Sequence, residues 1–438
     1  MKSFSFMHTA DLHLDSPFRG MVNVPAVIRE KVRESTFAAL QNLVQLAVKE
    51  RVDFVVVSGD VYDLADRSLR AQIRFQQAVV KLSEQGIPVF IIHGNHDPED
   101  GRRASLDWPE TVHFFGSQNA GMVPVHNAAG ELLAQIYGIS YPAAAVTVNL
   151  LPHFQVKQEA VYKIGLLHSN VDGDPSHDNY APCSKGELVR SGIDYWALGH
   201  IHQRAVLHEE PYVVYPGNLQ GRHIKEQGTK GCYVVKVSEY GTTELAFHAV
   251  DAIRWVGQSV SIKGLTTEQQ LKDLIEEHME DIKEETDGRS AIVRFTLEGR
   301  GLLHPMLQGS YLTELLAELR DDQTKLTQDD DQASFVWIES FKVQSGIPVD
   351  MDQLLQQESF LGDLLRFSRS LMGEEEVQEA FSELKLQAFT EAALLSLTSH
   401  SKAGKYWPAP GIEEQKELLQ AAVELAVDVL AAEAGREE

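Results

Sequence analysis

The sequence predicts a layered α/β protein, α/β at first and passing to α+β, with a smaller α/β second domain and a helical C-terminal region. Three observations carry that expectation. Strand-like and helix-like patterns alternate over the first hundred residues, short strands then recur to about residue 250, and from Asp350 the chain turns helical and acidic. At 438 residues the chain is too long for one compact core, and the expected domains are 1–252, 253–347 and 348–438.

Each element has its own signal. Phe4–Ala10 reads as a strand, and Ala26–Glu50 as an amphipathic helix with Ile28, Val32, Leu40, Leu43 and Ala47 apolar. The run Val52–Ser58 is apolar enough for a buried strand, Ser68–Gln85 is helical, and Ile87–His93 is again apolar. Further strands are expected at Leu132–Gly138, Val161–His168, Ile193–Leu198, Tyr212–Tyr215, Cys232–Val237 and Thr243–Ala249. In the second domain Ser259–Lys263, Ala291–Leu297 and Phe335–Val343 read as strands, with helices near Thr266–Glu280 and Tyr311–Leu319. The Asp-rich stretch QTKLTQDDDQAS reads as a polar, solvated loop. The tail places Leu354, Leu361, Leu364, Leu365 and Phe367 at helical spacing, and after YWPAPG a last helix runs from about Ile412 to Ala434.

Composition narrows the function. The start, MKSFSFMHTADLHLD, does not have the pattern of a signal peptide, and no stretch approaches the ~20 apolar residues of a membrane span. Two distant cysteines, Cys183 and Cys232, suggest inert packing in a reducing cytoplasm. The net charge of −25 repels phosphate polymers as a whole, so any nucleic-acid contact has to be local, metal-assisted or helped by another subunit. The acidity is uneven: residues 350–438 hold 18 acidic against 7 basic side chains.

Five segments end apolar runs in metal-binding side chains: TADLH (Asp11, His13), GDVYD (Asp60, Asp63), GNHD (Asn95, His96, Asp97), LLHSN (His168) and GHIHQ (His200, His202). Each falls where a loop leaves a strand's C-terminal end, the edge at which open α/β folds bind ligands. Singly each is weak, since GNHD is a common turn and D-x-H arises by chance. Together they offer two carboxylates, an amide oxygen and four imidazoles, a set suited to Mn²⁺, Fe²⁺ or Zn²⁺. Seven ligands exceed the needs of one catalytic ion. With a bridging carboxylate they fit two ions ~3.5–4 Å apart, as in phosphate chemistry, and Asp60 is the best bridge.

In this order, D-x-H, GD-x-x-D, GNHD, a single His and GH-x-H resemble the calcineurin-like metallophosphoesterases, and among them the SbcD-type DNA-repair exonuclease subunits, especially the bacterial YhaO-like group. The resemblance covers residues 1–250 and implies a β-sandwich flanked by helices. It implies one metal held by Asp11, His13, Asp60 and His202, and another by Asp60, Asn95, His168 and His200. His96 would be the general acid or transition-state stabiliser, with Asp63 orienting it. The archaeal and eukaryotic nuclease relatives have histidine at that position, so Asp63 departs from them, though not from the bacterial type, and leaves proton donation to His96 alone. The segment YPGNLQGRHIKE (215–226) resembles the family's YPGS-type loop, with Asn218 where serine is usual and Arg222 or His223 placed for phosphate contact.

The resemblance implies a metal-dependent phosphodiesterase acting on DNA, an exonuclease with endonuclease activity left open, in repair or recombination. Two divalent ions, Mn²⁺ foremost, would activate water and neutralise phosphate charge. Arg67, Arg70 and Arg74 follow GDVYD on one helix face and Arg102 and Arg103 follow GNHD. Of these, Arg67 and Arg102, with Arg222, are the expected substrate contacts. The resemblance also implies an SbcC-like coiled-coil ATPase partner docking on the tail helices, and it allows a homodimer. Rival readings are a small-substrate phosphodiesterase or nucleotidase and a non-catalytic scaffold of an ATPase. A protein phosphatase is disfavoured, because those carry GDxVDRG and GNHE where this chain has GDVYDLADRS and GNHD.

Overall fold

The computed structural model describes residues 1–438 except 19–20, 22–23, 64–67, 102–103, 158, 175–177, 331–332, 374–375, 381–410 and 435–438. Its elements, in chain order, are β1 (Phe4–Thr9), α1 (Ala26–Glu50), β2 (Phe54–Ser58), α2 (Leu69–Glu84), β3 (Val89–Ile92), β4 (Val112–Phe114), β5 (Gly121–His126) and β6 (Leu132–Gly138). They continue with β7 (Tyr162–His168), α3 (Lys185–Arg190), β8 (Tyr195–Gly199), β9 (Ala205–Glu209), β10 (Tyr212–Tyr215), β11 (Gly231–Val237), β12 (Thr243–Ala249) and β13 (Ile253–Ser261). Last come α4 (Glu268–Glu285), β14 (Ser290–Arg300), α5 (His304–Leu307), α6 (Tyr311–Asp329), β15 (Val336–Gly346), α7 (Met351–Gln356), α8 (Phe360–Ser370) and α9 (Ile412–Ala434).

Two six-stranded mixed sheets form the first half. One has the order β12-β11-β1-β2-β3-β4 and the other β5-β6-β7-β8-β10-β9. Strands β1 to β4 pair in parallel, as do β6, β7, β8 and β10. Alternation decides the layers. Phe6, Phe54, Phe90 and Ile92 meet Ile136, Ile164, Leu166 and Ala197 between the sheets. Their neighbours Met7, Val55, Val57, Val89 and Ile91 pack outward with Phe37, Leu40 and Leu43 of α1 and Phe75 and Val79 of α2. Burial on both faces is why VDFVVVS reads as an unbroken apolar run. His8 is a polar residue inside: fully buried, it meets Tyr195 Oη at 3.0 Å and the Leu198 carbonyl at 3.1 Å, joining β1 to β8.

Residues Met1–Gln258, His278–Arg294 and Ala317–Ser340 form one compact unit, and Ser259–Glu277, Phe295–Leu316 and Phe341–Glu438 the other. This division cuts within β13, α4, β14, α6 and β15. Strands β13, β14 and β15 form a three-stranded sheet in that order. Both cysteines are free and buried, and burial pushes the Cys183 thiol up to about 11 and Cys232 to about 12. No helix among the described residues is long and apolar enough to cross a membrane.

Several elements depart from the sequence expectation. The Asp-rich stretch is not a loop at its start: α6 runs on to Asp329, burying Thr327. The first cap strand begins at Ile253, not Ser259. Strands β4, β5 and β9 are additions to the expected set. Pro124 hides β5, and proline is tolerated there because β5 lies at a sheet edge.

Candidate metal centre

The strand ends converge as their motifs suggest. Asp11 and His13 follow β1, Asp60 follows β2, Asn95 and His96 follow β3, His168 ends β7, and His200 and His202 follow β8. Asp11, His13, Asp60, His168 and His200 are each at most 5% exposed. Four of these residues adopt left-handed backbone conformations, Asp11 (φ 51°), His13 (42°), Asp60 (52°) and His200 (98°). Each such residue costs on the order of 1–3 kcal/mol, which the surrounding loops have to over-determine. They do so by lacing to one another: Asp11 and His13 donate their N–H groups to the Gly59 and Asp60 carbonyls, at 3.1 Å each. Asp97 accepts from the N–H groups of Asp60, Val61 and Gly94, tying GDVYD to GNHD.

Glycines make room for His168. A Cβ on Gly59 would stand 2.6 Å from His168 Nδ1, and on Gly199 2.0 Å from the Ser58 carbonyl oxygen. On Gly94 it would stand 2.3 Å from Asp60 Oδ1. The glycines of GDVYD, GNHD and GHIHQ are therefore demanded by space around the site.

Asp60 stands at the centre. Its Oδ2 lies 3.3 Å from His168 Nε2 and 3.7 Å from His13 Nε2, while Oδ1 accepts the His96 N–H at 2.9 Å. Asn95 Oδ1 lies 3.1 Å from His168 Nε2 and 3.2 Å from His200 Nδ1. Asp11, His13 and His202 offer ligand atoms within 4.8 Å of one another, and so do Asp11, Asp60 and His168.

The remaining nitrogen of every one of these four imidazoles is held by an acceptor. His13 Nδ1 is 2.9 Å from Asp63, His202 Nδ1 2.7 Å from Glu226, His168 Nδ1 2.9 Å from the Ser58 carbonyl, and His200 Nε2 2.8 Å from the Asp178 carbonyl. Such partners fix the tautomer and aim the other lone pair inward, the arrangement metal-binding histidines use. Burial lowers the pKa of both His13 and His202, the latter to about 3, so both rings are neutral. Their Nε2 atoms nevertheless face each other at 3.2 Å. Two lone pairs so placed repel unless a cation lies between them. The residues fit a pair of divalent cations sharing Asp60.

A calcineurin-like phosphoesterase family model matches residues 4–204, and the model described as metallophosphoesterase YhaO, middle domain, matches 255–346. The chain is 38% identical over 343 residues to the uncharacterized metallophosphoesterase YhaO of Bacillus subtilis (strain 168), covering 77% of this chain and 81% of that protein. The chain belongs to the calcineurin-like metallophosphoesterases, in the YhaO-like family. It is also 29% identical over 240 residues to the DNA double-strand break repair protein Mre11 of Aeropyrum pernix, and 27% identical over 232 residues to one subunit of the nuclease SbcCD of Bacillus subtilis. Those matches cover 51% and 45% of this chain and 56% of each relative.

Around these candidate ligands of the phosphoesterase, Asp63 serves two rings. It lies 2.8 Å from His96 Nδ1 as well as 2.9 Å from His13 Nδ1, and it accepts from Ser16 Oγ. Burial alone would lower the His96 pKa, but the Asp63 hydrogen bond and the charges of Asp60 and Asp63 carry it up to about 9. The same two hydrogen bonds outweigh burial at Asp63 and hold its carboxyl far below the usual range. His96 is the open member, its side chain 45% exposed. Arg222 reaches the same place, 3.8 Å from Asp63 and 3.6 Å from Glu226, with its buried Nε bonded to nothing among the described residues.

Arg67, Arg102 and Arg103 lie outside the described residues. Arg70 and Arg74 turn to α1, not to the site: both stack over Phe37 and pair with Glu34. Sequence reasoning misses Glu226 and Ser16. Glu226 sits at the end of the YPGNLQGRHIKE stretch, and that loop's likeness to the family's was the signal available.

Proposed function

We propose that this metallophosphoesterase is a phosphodiesterase that cleaves DNA, an exonuclease in repair or recombination working in the cytosol. The observation that supports hydrolysis is the single carboxylate, Asp60, ringed by imidazoles whose outer nitrogens are all held by acceptors. Asp11, His13, Asp60 and His202 would hold one divalent cation, and Asp60, Asn95, His168 and His200 the other. Bound there, Mn²⁺ first, or Fe²⁺ or Zn²⁺, would supply an activated water and neutralise charge on the phosphate.

The chain's own residues do the rest. With its Nδ1 held by Asp63 and its side chain 45% exposed, His96 would offer an Nε2–H proton to the substrate. That proton can bond a phosphate oxygen or pass to the departing oxygen, a contribution of ~10²–10⁴-fold. Arg222, whose guanidinium lies 3.8 Å from Asp63, would bond a phosphate oxygen. The DNA substrate is supported by the two nuclease and break-repair relatives.

An SbcC-like coiled-coil ATPase is the proposed partner, docking on the tail. Phe360 and Phe367 of α8 are 70% and 62% exposed, and Leu418, Leu425 and Val429 of α9 are also exposed. Apolar side chains on acid-flanked helices suit helix-in-groove binding.

The test is Mn²⁺-dependent nucleotide release from linear duplex and single-stranded DNA, beside bis-p-nitrophenyl phosphate and cyclic nucleotides. DNA cleavage abolished by His96→Ala is expected. Turnover of the small diesters without any on DNA overturns the substrate, and no turnover with both ions bound leaves a scaffold.

A further inference from the structure

A second concavity opens beside the metal centre, on the outer face of the first sheet. Its volume is about 260 Å³, and its walls are Trp108, Phe114 and Tyr62. Trp108 and Phe114 meet edge to face at 4.9 Å, and Phe114 stacks on the His93 ring at 5.4 Å and 17°. Both Trp108 and Phe114 are only half-buried, so part of each ring is open to a guest. The polar lining is His93, Gln72 and the exposed Glu99.

His93 marks the cavity as more than a gap in packing. It is 5% exposed, and its Nδ1 is buried with no hydrogen-bond partner among the described residues, the nearest charge being Asp97 at 3.6 Å. A buried ring nitrogen without a partner costs on the order of 1–3 kcal/mol unless something meets it. Gln72 commits its Oε1 to the Ala104 N–H at 2.7 Å, and its amide nitrogen makes no hydrogen bond among the described residues.

The shape and chemistry select a ligand class. Aromatic walls favour a flat ring, and polar groups at the edge favour one with its own donors and acceptors. The volume falls below the ~300–1,000 Å³ of pockets that enclose a drug-sized molecule, so a ring enters but a whole nucleotide does not. The rest of a nucleotide would lie towards the metal ligands, because Asp97, 3.6 Å from His93 Nδ1, accepts the Asp60 N–H at 3.2 Å.

We propose that this cavity is a nucleobase pocket that receives a purine of the strand whose phosphate lies at the metal centre. Trp108 contacts one of its faces, Phe114 meets it edge-on, and His93, Gln72 and Glu99 line its edge. The identity of the ring rests on the proposed DNA substrate; the pocket itself does not.

The test separates the two. Saturation-transfer NMR on the full chain uses 2′-deoxyguanosine and 2′-deoxyadenosine, with 2-deoxyribose as the ring-free control. Transfer to the purine protons and not to the sugar is expected. It is lost in Trp108→Ala and in Gly116→Ile, whose new side chain fills the cavity from a site where a Cβ meets nothing nearer than Glu99 Oε1 at 4.0 Å. The preference in kcat/KM for an intact over an abasic oligonucleotide should fall on the order of tenfold in both variants. DNA hydrolysis with no purine transfer, or with transfer and preference unchanged in Gly116→Ile, overturns the pocket. Purine transfer lost in the variants, in a protein inactive on DNA, supports the pocket and overturns only the substrate.

Discussion

Replacing Glu226 by glutamine removes one charge and almost no volume from behind His202. The carboxylate is 5% exposed, and its two oxygens serve different donors: Oε1 meets His202 Nδ1 at 2.7 Å and Oε2 accepts the Arg222 N–H at 2.7 Å. Glutamine has one acceptor for these two. A charge-assisted bond is worth ~1.5–3 kcal/mol and a neutral one ~0.5–1.5, so weakening the His202 contact costs about 1–2 kcal/mol. Since ~1.4 kcal/mol is tenfold, and changes behind a metal ligand cost ~10–100-fold in affinity, a loss of about tenfold or somewhat more is expected for one cation. The assay is chelator-competition titration with Mn²⁺, with bis-p-nitrophenyl phosphate turnover followed across the same metal range. Turnover in Glu226→Gln should return to within severalfold of the parent at saturating metal. An unchanged metal titration would refute the idea that Glu226 fixes the His202 ring.

Three further outcomes are expected. His96→Ala should retain both cations by elemental analysis yet lose ~10²–10⁴-fold in turnover, whereas Asp60→Ala should lose both; wild-type rates in His96→Ala would remove its role. Gly94→Ala puts a methyl 2.3 Å from Asp60 Oδ1 and 2.8 Å from His168 Cε1, so it should destabilise the fold by ~1–3 kcal/mol and abolish metal retention, read by calorimetry and elemental analysis. Burial lowers the His8 pKa to about 3, against 6.5 in the unfolded chain. Its stabilising effect is therefore complete above pH 6.5 and is lost as pH falls towards 3, up to about 5 kcal/mol. Denaturant titrations of the parent and His8→Gln should differ in pH slope by up to one proton over that window, and parallel curves would count against it.

The sequence made the local signals plain. Helix α1 ends where its apolar repeat ends, and the candidate metal-binding side chains follow strands that their alternation or apolar continuity reveals. What stayed hidden depends on contacts between distant segments. Glu226 matters because the chain folds it onto His202, and Asp63 reaches His13 fifty residues away. Arg70 and Arg74 look available for phosphate in the sequence, yet Phe37 and Glu34 claim them in the fold. In α6, aspartates that discourage a helix by propensity are overridden by the burial of Leu315, Leu319 and Thr327 along one face.

One carboxylate, Asp63, grips the back of His13, a proposed ion-holding ring, with the same oxygen that steadies His96, the proposed proton donor. Seat and acid are thus not independent modules. A change at His96 can silence the acid and leave the seat intact, but any change at position 63 disturbs both together. A substitution there has to supply new partners to two rings at once, so the position couples the two halves of the proposed chemistry.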